Sequence, residues 1–124
     1  MKALVIDDSR AMRSILSGIL KTIGFEVFEA ADGKEGIAQM EQVADVALAL
    51  VDWNMPEMNG YEFVQAIRAL NEFDATKLMM VTTETEMDQV IKALEAGADE
   101  YVMKPFTKDI IVEKLGMLGL SLDQ

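Results

Sequence analysis

Three carboxylates, two hydroxyls and one amine stand immediately after short apolar runs. Asp7 and Asp8 follow Ala3–Ile6, Asp52 follows Val46–Val51, Thr82 and Thr83 close Leu78–Val81, and Lys104-Pro105 follow Tyr101–Met103. Brought to one rim, Asp7, Asp8 and Asp52 would repel one another, and a single Lys cannot neutralise them. A hard divalent cation would. Ligands that are all oxygen, with room left for water, favour Mg2+ over zinc. A carboxylate beside Mg2+ and an amine is suited to attack phosphorus, because the two cations offset charge on the equatorial oxygens. The product would be an acyl phosphate on Asp52.

Each residue alone has a plainer reading. Asp8 or Ser9 can cap a helix. Asp52, ahead of Trp53-Asn54-Met55-Pro56, can be a turn residue. Thr82 and Thr83 suit a strand end as β-branched residues, and Lys104 can be a solvated loop charge. Independent accidents do not usually fall on one rim, so the four strand ends together favour chemistry.

The elements that must position them alternate regularly. Ala3–Ile6, Val46–Val51 and Leu78–Val81 read as strands buried on both faces. Phe25–Ala30 carries Glu26 and Glu29 and reads as a charged edge strand, and Tyr101–Met103 as a short last strand. Met12, Ile15, Leu16, Ile19, Leu20 and Ile23 make one helical stripe ended by Gly24. Asp32 with Glu35 looks like a capping box opening a helix through Ile37 and Met40. Phe63, Val64, Ile67 and Leu70 mark a third helix. Met87, Val90, Ile91 and Leu94 mark a fourth, ended by Gly97. Thr107 is the expected N-cap of a fifth, carrying Ile110, Ile111, Leu115 and Leu118. Five βα units imply an α/β fold, a doubly wound parallel sheet with right-handed crossovers. Ligands of such sheets bind beyond the carboxyl ends of the strands.

Composition narrows the classes. The 124 residues hold 11 Lys and Arg against 22 Asp and Glu, a net charge of −11, which argues against a nucleic-acid partner. The chain has no Cys and no His, which removes disulfides, thiolate sites, the usual zinc sites and His-dependent triads. At 51% hydrophobic it is expected to fold as one domain over 1–124. No apolar run approaches the roughly 18 residues of a membrane span, and Met1-Lys2 lacks a signal-peptide layout. A cytoplasmic protein without membrane insertion is expected. The ten Met, among them Met12, Met40, Met79, Met80, Met87 and Met103, are expected to fill the core.

In order and at these spacings, five segments resemble the receiver domain of two-component response regulators, in particular the stand-alone chemotaxis (CheY-like) type. They are Val5-Ile6-Asp7-Asp8-Ser9; Val51-Asp52-Trp53-Asn54-Met55-Pro56 with Gly60; Val81-Thr82; Gly97-Ala98 with Tyr101; and Lys104-Pro105-Phe106. The likeness runs from about Met1 to Leu118 and implies the flavodoxin-like strand order 2-1-3-4-5. By that resemblance Asp52 is the phosphoacceptor. Asp8 binds Mg2+ directly and Asp7 mainly through water, with Asp52 and the Asn54 backbone carbonyl as further ligands. Thr82 and Lys104 each pair with a phosphoryl oxygen. Tyr101 turns inward when Thr82 moves, reshaping the face of the fourth helix, fifth strand and fifth helix. The resemblance also implies a cis Lys104–Pro105 bond, and lifetime tuning by Asn54, Thr83 and Glu84.

Lacking His, the chain cannot supply the family's phosphodonor, so a partner histidine kinase of the CheA-like kind is implied. With no room for an effector domain, output is expected through binding of another protein by a monomer. Two departures stand out. Thr83 sits where the family more often has Ala. Glu86, Asp88, Glu95, Asp99 and Glu100 make the fourth-helix region acidic where chemotaxis members carry more Lys. A phosphorelay intermediate, or a regulator of a non-motor partner, is the alternative output.

Rivals from other classes fit less well. A Mg2+-dependent aspartyl phosphatase needs a second acid two residues after its nucleophile, and that position is Asn54. A flavin carrier of the same fold needs a hydroxyl- and glycine-rich phosphate loop after the first strand, where Asp7-Asp8 carry the wrong charge. A receiver that only binds partners would lack acceptor, metal or Lys residues, and all are present.

Overall fold

The computed structural model describes residues 1–83 and 87–120. The elements are β1 (Lys2–Ile6), α1 (Arg10–Ile23), β2 (Glu26–Ala30), α2 (Gly33–Gln42), β3 (Val46–Val51), α3 (Gly60–Arg68), β4 (Lys77–Thr82), α4 (Met87–Ala96), β5 (Glu100–Met103) and α5 (Lys108–Met117), with a 3-10 turn over Asn71–Phe73. The strands form one parallel sheet ordered β2-β1-β3-β4-β5. The strand order, the five helices and the edge position of β2 are those the sequence led us to expect.

Alternation along each buried strand builds two cores. Leu4, Ile6, Ala49, Val51, Leu78 and Met80 face α2, α3 and α4, where Met40, Phe63, Ile67 and Ala93 meet them. Ala3, Val5, Leu48, Leu50, Met79 and Val81 face α1 and α5, against Leu16, Leu20, Ile111 and Leu115. Burying a side chain such as Phe63 contributes about 2 kcal/mol. Both faces of the central strands are therefore committed to packing, and polar chemistry is left to the strand ends.

The caps refine the picture. Ser9 caps α1 by accepting from Met12 N at 3.2 Å, which leaves Asp8 free of that task. Gly24, at φ 121°, and Thr107 close α1 and open α5 as expected. Asp32 accepts from Glu35 N, but the Glu35 carboxylate reaches back to Ala31 N rather than to the cap residue. The reciprocal capping box occurs instead at Asn59 and Glu62, opening α3.

Several apolar residues lie elsewhere than expected. Leu70 falls beyond α3 and is exposed. On α4 the buried side chain is Ala93, while Met87, Ile91 and Leu94 face outward. Met87 is 67% and Met103 51% exposed, so these two Met are not core residues, whereas Met40, Met79 and Met80 are. Ile110 is also exposed, and Leu118 forms the cap of α5 instead of a helical turn. A helical stripe shows which residues share a face and not whether another element covers it. Leu118 and Leu120 pack on the α1–α5 core; Leu122 lies outside the described residues.

Arg68, at the end of α3, ties four segments together. Its guanidinium donates to the carbonyls of Gly97 (3.0 Å), Phe73 (3.1 Å) and Thr76 (2.8 Å) and to the Asp99 carboxylate (2.8 Å). The same Asp99 oxygen accepts from Leu78 N at 2.8 Å. The C-terminal end of α4 is thus fastened to α3 and to the start of β4.

Candidate functional site

The carboxyl ends of β1, β3, β4 and β5 converge on an acidic hollow. Backbone pairing sets two of the acids in place: Asp7 N donates to Ala30 O and Asp52 N to Ile6 O, extending the β1 ladders past the strand ends. Asp7 is 1% and Asp52 7% exposed, while Asp8 is open to solvent. One carboxylate oxygen from each of the three lies within 4.8 Å of the others.

Lys104 enters from the end of β5, after which the Lys104–Pro105 bond is cis. Its ammonium lies 2.9 Å from Asp7 Oδ2 and 3.6 Å from Asp52 Oδ1. Asp8 has no ion-pair partner among the described residues. The cluster therefore keeps an excess of negative charge that one ammonium does not cancel. Burial pushes the Asp52 carboxyl above the ordinary carboxylate range, with the neighbouring Asp7 charge adding to the rise; Lys104 and a hydrogen bond with Thr82 act the other way. A group in this state favours any cation that approaches from the open, Asp8 side.

The donor set fits a hard divalent cation. It is entirely oxygen, its members are close enough to share one ion, and the exposed Asp8 leaves water access. Thr82 is fully buried at the end of β4, and Thr83 beside it is exposed. Tyr101 is half-buried and stands opposite Met80 in the β4–β5 register, two residues before Thr82 and on the same face of the sheet. The Asn54 side chain is exposed in the loop after Asp52. Glu84 and Glu86 lie outside the described residues. The structure thus gathers Asp7, Asp8, Asp52, Thr82 and Lys104, with Thr83 beside Thr82 and Asn54 in the adjoining loop.

Three residues support the site through contacts that the sequence did not reveal, Gly60 among them although it belongs to the segment around Asp52. Arg13 donates to the Asp7 carbonyl at 2.6 Å while Glu29, itself held by the buried Ser17, orients the guanidinium. Arg13 shares a helix face with Ser9 and Ser17 at intervals of four, a signal readable only once Asp7 is known to need support. Gly60 is the second: a Cβ there would press on the Asp52 carbonyl oxygen, with the Asp52 carbonyl carbon at 2.9 Å. The third is Tyr61, whose ring stacks on that of Trp53, centroids 5.6 Å apart and planes 14° from parallel.

Among the described residues, no helix is long and apolar enough to cross a membrane. The family model of the response regulator receiver domain matches residues 3–116. The chain is 45% identical over 116 residues to the chemotaxis protein CheY1 of Helicobacter pylori strain J99, covering 93% of this chain and 94% of that protein. It is 44% identical to a chemotaxis protein CheY homolog of Campylobacter jejuni, covering 93% and 89%. Among solved structures, Vibrio cholerae CheY4 superposes with a TM-score of 0.87 at 34% identity, covering 94% of this chain and 96% of that one. A CheY-like receiver domain protein of Methanospirillum hungatei gives 0.85 at 33% identity, covering 94% and 91%. On its fold, its acidic rim and these likenesses, the chain belongs to the response regulator receiver domain family, in its CheY-like type.

Proposed function

We propose that the chain is a response regulator receiver that accepts a phosphoryl group on Asp52 from a partner histidine kinase. The observation that carries this reading is the placing of a buried carboxylate within reach of Lys104, beside two further acids and the buried Thr82. An Asp52 oxygen forms the new bond to phosphorus while the bond to the donor's nitrogen breaks, and the electron pair leaves with the donor. Lys104, already 3.6 Å from Asp52, would pair with a phosphoryl oxygen. Thr82, which hydrogen-bonds Asp52, would donate its hydroxyl to another. Asp7, Asp8, Asp52 and the Asn54 carbonyl would hold Mg2+, which supplies charge neutralisation for the transferring group.

Output would pass through the face of α4, β5 and α5. Met87, Ile91, Leu94, Met103 and Ile110 are exposed there, an apolar area suited to a protein partner. Of the acids in this region, Asp99 is held by Arg68 and Glu100 by Lys114, so the solvated acids on α4 are Asp88 and Glu95. A chemotaxis role in the cytoplasm, with a CheA-like kinase as donor, is supported by the chemotaxis relatives at 44–45% identity.

Intact mass after incubation with acetyl phosphate and Mg2+ tests the acceptor. The wild-type protein should gain one phosphoryl group only with Mg2+, and Asp52→Asn should gain none. A variant that gains as readily as the parent would remove Asp52 from the role. Thr83, exposed beside Thr82, would restrict water at the phosphoryl group. Thr83→Ala should change the rate of phosphoryl loss severalfold, followed by decay of the mass shift, and an unchanged rate excludes Thr83 from control of lifetime.

A further inference from the structure

An aromatic pair and a lysine join the loop that bears Asp52 to the helix that bears the exposed apolar side chains. Trp53 directly follows Asp52, is 9% exposed and packs in the core beneath α2 and α3. Its ring stacks on Tyr61 in the first turn of α3, at a separation typical of favourable aromatic pairs. Above the same Tyr61 ring, 4.6 Å from its centroid, lies the ammonium of Lys92, in the middle of α4. That distance is within the range in which a cation is held by a ring face.

The rest of α4 is lightly held. Among its described side chains only Ala93 is buried, and the Arg68 clip fastens only the C-terminal end. The Trp53 carbonyl accepts from Gly60 N at 2.9 Å, so the Trp53–Tyr61 stack and the backbone of the acceptor loop are pinned to each other. A shift of that loop displaces the ring on which Lys92 rests.

We propose that Trp53, Tyr61 and Lys92 form a strut that couples the state of Asp52 to the position of α4, with Tyr61 and Lys92 as positioning residues. The proposal rests on the reading of Asp52 as acceptor. Linkage requires that whatever the strut transmits to α4 be returned to the site: a partner that fixes α4 must change the affinity for the phosphoryl group by the same factor. Spatial continuity alone does not establish coupling, so a double-mutant cycle is the required test.

Hydrogen exchange of the α4 amides is measured in wild type, Lys92→Met, Tyr61→Leu and the double variant, each with and without beryllofluoride and Mg2+. Lys92 is exposed, and Lys92→Met keeps its length, so the fold is retained; Lys92→Arg keeps the cation and should restore the wild-type response. In wild type the α4 amides should change protection on addition of beryllofluoride. That change should shrink about two- to fivefold in either single variant and no further in the double variant. An α4 response equal in all variants, in a wild-type protein that acetyl phosphate does phosphorylate, overturns the strut alone. A wild-type protein that gains no phosphoryl group and shows no α4 response overturns both the strut and the reading of Asp52.

Discussion

Lys104→Met should lower the stability of the metal-free protein by about 3 kcal/mol, near the lower end of what removing one partner of a buried pair costs. The side chain of Lys104 is 13% exposed and those of its partners Asp7 and Asp52 are 2% and 8% exposed, so little water is available to replace the ammonium. For a domain of this size the loss should appear as a fall of roughly 10 °C in the unfolding midpoint. The deficit has a pH signature. Lys104 is one of the two influences that hold down the raised Asp52 carboxyl. Without it Asp52 titrates higher still, so the variant keeps its stability while that carboxyl is neutral and loses it as pH rises through the new value. Saturating Mg2+ should return much of the lost stability, because charge excess is the cause. Melting curves across pH, with and without Mg2+, check this; a midpoint equal to wild type at neutral pH would mean that solvent already screens the cluster.

Gly60→Ala should be comparably severe for a different reason. The added methyl would meet the Asp52 carbonyl oxygen and carbon, with Met80 Cε at 3.0 Å, and backbone atoms at a strand end cannot yield as a flexible side chain does. Overpacking of this kind costs on the order of 3 kcal/mol. The relief available is movement of the loop that carries Asp52. Phosphorylation by acetyl phosphate should therefore slow by roughly 100-fold, the effect of a displacement of about 1 Å at a reacting group. Rates from intact mass and a denaturation curve on the same preparation separate the two effects. Wild-type behaviour in both would show that the turn can open without touching Asp52.

The strand ends were legible in the sequence because each apolar run stops abruptly at a charge or hydroxyl. Asp7, Asp8, Asp52, Thr82 and Lys104 could be placed on one rim before any coordinate was known. The supports around them were not legible. Tyr61 and Lys92 are 31 positions apart in the chain, and no periodicity links them. The role of Arg13 depends on a backbone carbonyl, which leaves no mark in residue type. Helix α4 misled for a related reason. Met87, Ile91 and Leu94 recur at helical spacing, and a solvent-facing docking face has the same spacing as a core stripe. The capping boxes show the limit of local motifs: Asp32 and Glu35 have the same pattern as Asn59 and Glu62, yet only the second pair closes reciprocally.

The Arg68 clip makes α4 a lever. With three carbonyls and the Asp99 carboxylate gathered on one guanidinium at its C-terminal end, the helix has a fulcrum there. Its ten residues form an arm of about 15 Å. A tilt of about 10° about the fulcrum carries Met87 through roughly 2 Å and Leu94, close to the pivot, through a small fraction of that. A ligand seated at the far tip of the arm would feel the full stroke, and one seated over Leu94 would feel about a quarter of it. The same small rotation is thus graded into a larger signal at one end of the exposed face and a smaller one at the other.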